Sequence, residues 1–444
     1  MSSDNAKNIL WFVTGPLALI AIGLITLSIM RYVQKPEKVI KKFEWLRTFY
    51  VWLGALAILG GTWAFFLPIA LNSGFNKDDD GPVLRQLLIY TVGGLLGVVT
   101  LGETHRKNNH EKDKNDQDHT RQVHTERRSR YTKAIEHLFN ENISIRLGGV
   151  YTLAGLADEW LSDEKTLPNE KERRKETQNI INNLCTYIHS PFPLAEHAEQ
   201  LDKPYAKDLQ KDFSGYTEKF EEDKQIFTRD KAALKEERQV RSTILQKIHE
   251  RLQSGSKSGP WSDFEYNFSN AKFFYPVNFE SSHFCTFLDF SGATFTEKAD
   301  FSKVTFTREI GFSGVTFAKT ASFSAAIFIQ ITVFSGAEFT QDADFSGAAF
   351  TRNANFSGAE FTGYTHFTEA TFQTEPIFES ALGNEARFSC KVEPENYNFE
   401  VSSESPYKIE TWDPERNGIK FTIPKGAILF DPDEPSEQED NDDN

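Results

Sequence analysis

The sequence predicts an α+β multidomain chain: transmembrane helices, a helical module, and then a β-solenoid. Three observations carry that prediction. Phenylalanine recurs from Phe268 to Phe378 in steps that alternate strictly between five and six residues, ten units of 11. The first hundred residues hold three uncharged apolar runs, 9–30, 48–71 and 86–101. Between these regions the apolar residues recur at helical spacing.

The ladder sets the architecture, because self-similarity at a fixed period marks a repeat fold. Two residues before most of these Phe stands a small or β-branched residue, as in Ala299, Val304, Ile310, Ala321, Thr332 and Ala343. Residues two apart point to the same side of an extended strand, so the pair faces inward. The residue between them, Asp289, Asp300, Glu338, Asp344, Asn355, Glu360 or His366, faces out. Ser or Thr usually follows the Phe, and in the short step a glycine often comes next, Gly292, Gly314, Gly336, Gly347 or Gly358, and supplies a corner. The ring faces of successive coils should form continuous columns. With faces of 5, 6, 5 and 6 residues, a coil takes 22 residues and there are about five coils. Phe290 then stacks on Phe312; a two-faced coil of 11 would stack it on Phe301.

Segments such as Ala343-Asp344-Phe345-Ser346-Gly347 and Ala354-Asn355-Phe356-Ser357-Gly358 resemble the pentapeptide-repeat family. The resemblance covers about a quarter of the chain. It implies a right-handed quadrilateral β-helix and, with the anchor below, a membrane-anchored bacterial protein. Every second face carries one residue more than the family's strict five. Some soluble members of that family mimic DNA and regulate topoisomerases. Residues 264–388 hold 14 Asp and Glu against 7 Lys and Arg, acidic but mixed. A DNA-mimic regulator is therefore the alternative reading, and nucleic acid is not the expected partner.

The runs 9–30 and 48–71 are long enough to cross a bilayer, and 86–101, with Gly93, Gly94 and Gly97, is a shorter third span. The loop 31–47 is rich in Lys and Arg, whereas 72–85 carries Asp78, Asp79 and Asp80. Positive loops stay inside, so the N-terminus is external and residues after 102 are cytoplasmic, on the inner membrane of a bacterium. Lipid is then one partner, and a cytoplasmic protein the other. Intramembrane charge of the kind a channel would use is lacking.

The remaining elements follow in order. Residues 1–102 are the anchor, and 103–130 a charged helical stalk. The module 131–253 contains a helix from Tyr131, a turn at 140–142, a helix from Ile143, and a third at 171–189 ended by Pro191 and Pro193. The pair Gly148-Gly149 lacks phosphate-loop spacing and reads as a close helix contact. Val240, Ile244, Ile248 and Leu252 form a stripe that needs a neighbour to pack on. Residues 254–263 are a linker and a cap in which Trp261 covers the first coil, 264–390 the solenoid, 391–430 a C-terminal cap, and 431–444 a disordered acidic tail.

Catalytic arrangements are absent above noise, so no enzyme, cofactor, catalytic residue or metal site is expected. His105, His110, His119 and His124 share no helix face well, and the repeat serines are explained by bonds to local backbone. Cys185, Cys285 and Cys390 are too scattered for a disulfide framework and fit a reducing compartment. Net charge is −15. The expected function is non-enzymatic: a rigid solenoid offered as a protein-binding or scaffolding surface.

Overall fold

The computed structural model describes residues 57–66, 81–203, 217–255 and 257–434. The expected span 9–30, the loop 31–47, most of the acidic tail and the ends of the span 48–71 lie outside the described residues. The chain divides into two units, 1–122 and 123–444.

In the first unit, helix α1 (Ala57–Phe66) lies against the start of helix α2 (Gly81–Leu138). Their contact is close: a Cβ on Gly60 would come within 2.4 Å of the Val92 side chain. The expected third span, the stalk and the first helix of the module are thus one uninterrupted helix. Nothing between 81 and 138 breaks it, since its one proline, Pro82, stands in the first turn, where no amide is needed. Among the described residues, α2 is the one helix both long and apolar enough to cross a membrane. The described part of α1 is a shorter apolar helix.

The second unit carries helices α3 (Ile143–Ser162), α4 (Glu170–His189), a 3-10 turn at Pro193–His197, α5 (Ala198–Asp202) and α6 (Thr217–His249). Asn142 caps α3 by accepting the Ser144 amide at 2.8 Å, and Asn169 caps α4 from the Lys171 amide at 3.0 Å. Glu170 and Glu172 then place negative charge on the positive end of the α4 dipole. Gly149 is the close contact the sequence suggested. A Cβ there would stand 2.8 Å from the Ala134 carbonyl oxygen, whereas Gly148 faces open space.

From Tyr266 the chain winds into two-residue strands, which form four parallel sheets of five, seven, six and five strands. Through Asn355 each strand pairs with the one 22 residues on, as in Phe317 with Phe339, Ala321 with Ala343 and Phe306 with Phe328. The four-faced coil is therefore the observed one. Every ladder phenylalanine is at most 4% exposed, and so are the small partners from Ala293 to Ala359. Within a column the rings lie parallel: Phe312 and Phe334 are 4.9 Å apart at 3°, Phe334 and Phe356 5.2 Å at 1°. Between columns they meet edge to face, as Phe323 and Phe334 do at 5.3 Å. Both geometries suit the ring quadrupole, so phenylalanine serves as the large inward residue on every face.

The short-step corners are β-turns in which the amide three residues on returns to the Phe carbonyl, for example Ala337 to Phe334 at 3.0 Å. Their third residue has positive φ at all ten corners from 270 to 369. Glycine meets that demand at five of them, but Asn270, Ser281, Lys303, Ala325 and Glu369 hold the same conformation at 55–60°.

Serine hydroxyls expected to bond local backbone reach other partners: Ser302 donates to the Asp300 carboxylate at 2.5 Å and Ser313 to the Ser335 carbonyl of the next coil at 3.2 Å. Thr296, Thr307, Thr340, Thr351 and Thr362 donate to the Phe carbonyl of the preceding coil, at 2.9–3.4 Å. They tie rung to rung. The local bonds come instead from the outward Asp and Asn: Asp289, Asp344 and Asn355 accept the serine amide two residues on, at 2.8–2.9 Å.

The solenoid also outlasts its sequence rhythm. Phe388 stacks on Phe361 at 4.7 Å, although 27 residues separate them, and Phe399 stacks on Phe367 at 5.9 Å. The extra residues are extruded as turns, and Leu382 is left 93% exposed. Tyr397–Asn398 and Ile428–Phe430 add further strands to two faces, so the segment after 390 is in part more solenoid. A rung gains a buried ring and a ladder of backbone bonds, whereas lengthening a surface loop costs little.

Candidate interaction surface

A packed interior leaves two places for function: the outer faces of the coils, and the end covered by helices. That end is closed by a broad junction. The core is continuous from Ala134 to Ala427, so the module and the solenoid share one hydrophobic interior. Trp261 is fully buried, as its place at the first coil suggested, and its indole donates to Asp158 of α3 at 2.9 Å. Gln253–Ser254 and Lys257–Ser258 are no slack tether: they pair antiparallel, Gln253 with Ser258 and Ser254 with Lys257. The stripe Val240, Ile244, Ile248 and Leu252 is buried between module and first coil.

Polar groups match the junction. Gln178 makes two bonds with the Glu265 backbone, each 2.9 Å. Arg238 donates to the Phe274 carbonyl at 2.7 Å, and Lys272 pairs with Glu196 at 2.7 Å. Deeper in, Arg241 is 2% and Glu237 4% exposed. Arg241 spans Glu237 at 2.7 Å and the carbonyls of Ile188 and Ser190 at 2.6 Å. Tyr187 also donates to Glu237, at 3.1 Å; burial first, and that carboxylate second, push the phenol up. Such a satisfied buried network fixes geometry more than it adds stability. An open coil end would expose unpaired strand edges, and the helices cover it. The sequence pointed to Trp261 as part of the cap; the apolar stripe of α6 was the further signal.

No residue was expected to be catalytic, cofactor-binding or metal-ligating, and the side chains weighed for such roles lie apart. His105 and His110 are exposed on α2, with His105 beside Asn109. His124 is drawn toward Trp160 and Thr166. His283 and His366 occupy half-buried outward slots on different faces. Among the described residues no three His, Cys, Asp or Glu side chains gather as a metal site would require. All three thiols are free; burial pushes that of Cys185 up to about 12. Thiolate chemistry is disfavoured there.

The outer faces carry the variation. The outward aspartates spend an oxygen on their own corner, and most cations of the repeat are paired: Lys298 with Asp300 at 3.4 Å, Lys303 with Glu280 at 2.8 Å, Arg387 with Glu360 at 2.5 Å. Sequence reasoning missed the exception, an apolar corner at Ile327, Ile329 and Ile331. Its signal was present: isoleucine stands at 329, where the neighbouring coils have Thr307 and Thr351.

These features define a capped, four-sided parallel β-solenoid preceded by helices, filled with aromatic rings and free to vary only outside. Residues 301–348 and 334–382 match the family profile described as pentapeptide repeats (9 copies), which together with the coil geometry supports a pentapeptide-repeat protein. No curated protein and no solved structure matched the chain.

Proposed function

We propose that this protein is a non-enzymatic scaffold that holds its solenoid at a bacterial inner membrane as a rigid surface for a cytoplasmic protein. The observation that carries the reading is the filled interior: a column of rings leaves only the outer faces for recognition. The apolar segment of α2 supports the anchor, and the charge of the loops 31–47 and 72–85 supports an external N-terminus and a cytoplasmic repeat. A DNA-mimicking rod would need rows of uncompensated carboxylates; here Lys298, Lys303 and Arg387 pair with Asp300, Glu280 and Glu360, which favours a different protein partner over a topoisomerase.

Affinity capture from membranes tests the function, with the solenoid-deleted chain as control. A partner enriched only by the intact chain is expected, and equal recovery by both would refute the reading. The topology is tested with a membrane-impermeant thiol label on intact cells carrying Ser436→Cys. Labelling is expected only after lysis; labelling before lysis would place the repeat outside.

A further inference from the structure

One corner of the solenoid departs from the chemistry of all the others. On the third coil, three successive outward positions are isoleucines: Ile327, Ile329 and Ile331 are 42%, 38% and 41% exposed. Two coils earlier in the same corner column as Ile331, Phe287 is 51% exposed. Equivalent positions on adjacent coils are polar or small: Thr305 and Ala349 for 327, Thr307 and Thr351 for 329, Glu309 and Asn353 for 331. Single exposed apolar side chains are ordinary, but a run of three on one coil is not required by the repeat. Ile329 even forfeits the inter-coil hydroxyl bond that Thr307 and Thr351 make from the same slot.

The charges beside this patch are as unusual. Arg308 and Arg352 occupy one corner column, a coil before and a coil after Gln330. Both are exposed, and neither forms an ion pair among the described residues. The rings beneath them, Phe306, Phe328 and Phe350, step at 5.0 and 4.7 Å, so two coil rises separate the arginines. In a repeat with a net charge of −7, its two arginines without carboxylate partners thus flank its outward isoleucines.

We propose that this corner is the docking surface of the scaffold, and that its occupant is a short segment of a partner protein bearing aliphatic side chains among carboxylates. The inference rests on the scaffold reading above and names the face and the partner chemistry. Isoleucine supplies the apolar contact, and each guanidinium has its fork free for a carboxylate. A folded second copy suits the patch less well. Four side chains, each about half exposed or less, fall well short of the ~800 Å² per partner of a standard stable interface.

The test uses the full chain and a fluorescent 12-residue peptide of alternating leucine and aspartate, read by anisotropy. Two counter-probes replace aspartate by lysine, or leucine by serine. The leucine–aspartate peptide alone is expected to bind. I327S/I329S/I331S and, separately, R308E/R352E should each weaken binding about tenfold or more, whereas K319E on another corner should leave it unchanged. All altered side chains lie at least partly outside, and unchanged melting of each variant confirms folding. Failure of the wild-type chain to bind, equal binding by the triple-serine chain, or equal binding of the lysine peptide would each overturn the proposal. So would self-association of the wild-type chain that the triple-serine change abolishes. In capture from membranes, a partner lost on deleting the solenoid but kept by the triple-serine chain sinks this corner and leaves the scaffold standing. A partner kept without the solenoid sinks the scaffold itself.

Discussion

Phe334→Ala removes one ring from the middle of the stack, and the structure sets the size of the loss. Phe334 is fully buried. It lies parallel to Phe312 at 4.9 Å and Phe356 at 5.2 Å, and edge-on to Phe323 at 5.3 Å and Phe345 at 5.4 Å. A Phe→Ala change in a core costs about 3–5 kcal/mol through lost transfer energy and the cavity left behind. Aromatic pairs add about 0.5–1.5 kcal/mol each beyond area. The neighbours are held in register by backbone bonds such as Phe334 to Asn355 at 2.7 Å, so the cavity cannot readily collapse. The expected loss is therefore at the upper end, about 5 kcal/mol. Denaturant unfolding of the full chain, followed by circular dichroism, measures it. The control is exposed Glu338→Ala, where a change within about 0.5 kcal/mol is expected. Equal midpoints for the two variants would refute the inward-facing column.

Ala325→Gly should raise stability by about 0.5–1 kcal/mol, because Ala325 holds φ of 55° and relief of that strain exceeds the entropy glycine adds to the unfolded chain. Gly336→Ala, at the equivalent corner, should lower it by about 1 kcal/mol, and thermal melts of the pair decide. Gly149→Leu forces a side chain against the Ala134 carbonyl and should cost about 1–3 kcal/mol, seen as a lower melting temperature; an unchanged one would deny the close crossing. His249 joins α6 to the solenoid by bonding Ser282 at 3.0 Å, and burial lowers its pKa against the opposing pull of Glu250 and Glu280. The unfolded chain therefore takes up the proton first as pH falls below about 6.5. Stability should be level above that value and fall below it, and His249→Gln should flatten the fall in melts across pH 5–8.

The sequence alone determined the solenoid. Alternation of five and six residues limited the coil to 11 or 22 residues, since either period brings ring over ring; the pairing of Ala321 with Ala343 chose 22. The same local logic found α3, α4 and the buried stripe of α6, since caps and helical spacing act within a few residues. Tertiary structure decided the rest. That the helices close the end of the solenoid rests on contacts such as Trp261 with Asp158 and Gln178 with Glu265, between residues some 90 to 100 positions apart, and no period encodes them. That Phe388 and Phe399 continue the columns was hidden by insertions, which shift the spacing but not the rung. The isoleucine corner was readable only once the coil placed Arg308 and Arg352 on either side of it, since side chains one coil apart in space are 22 residues apart in the chain.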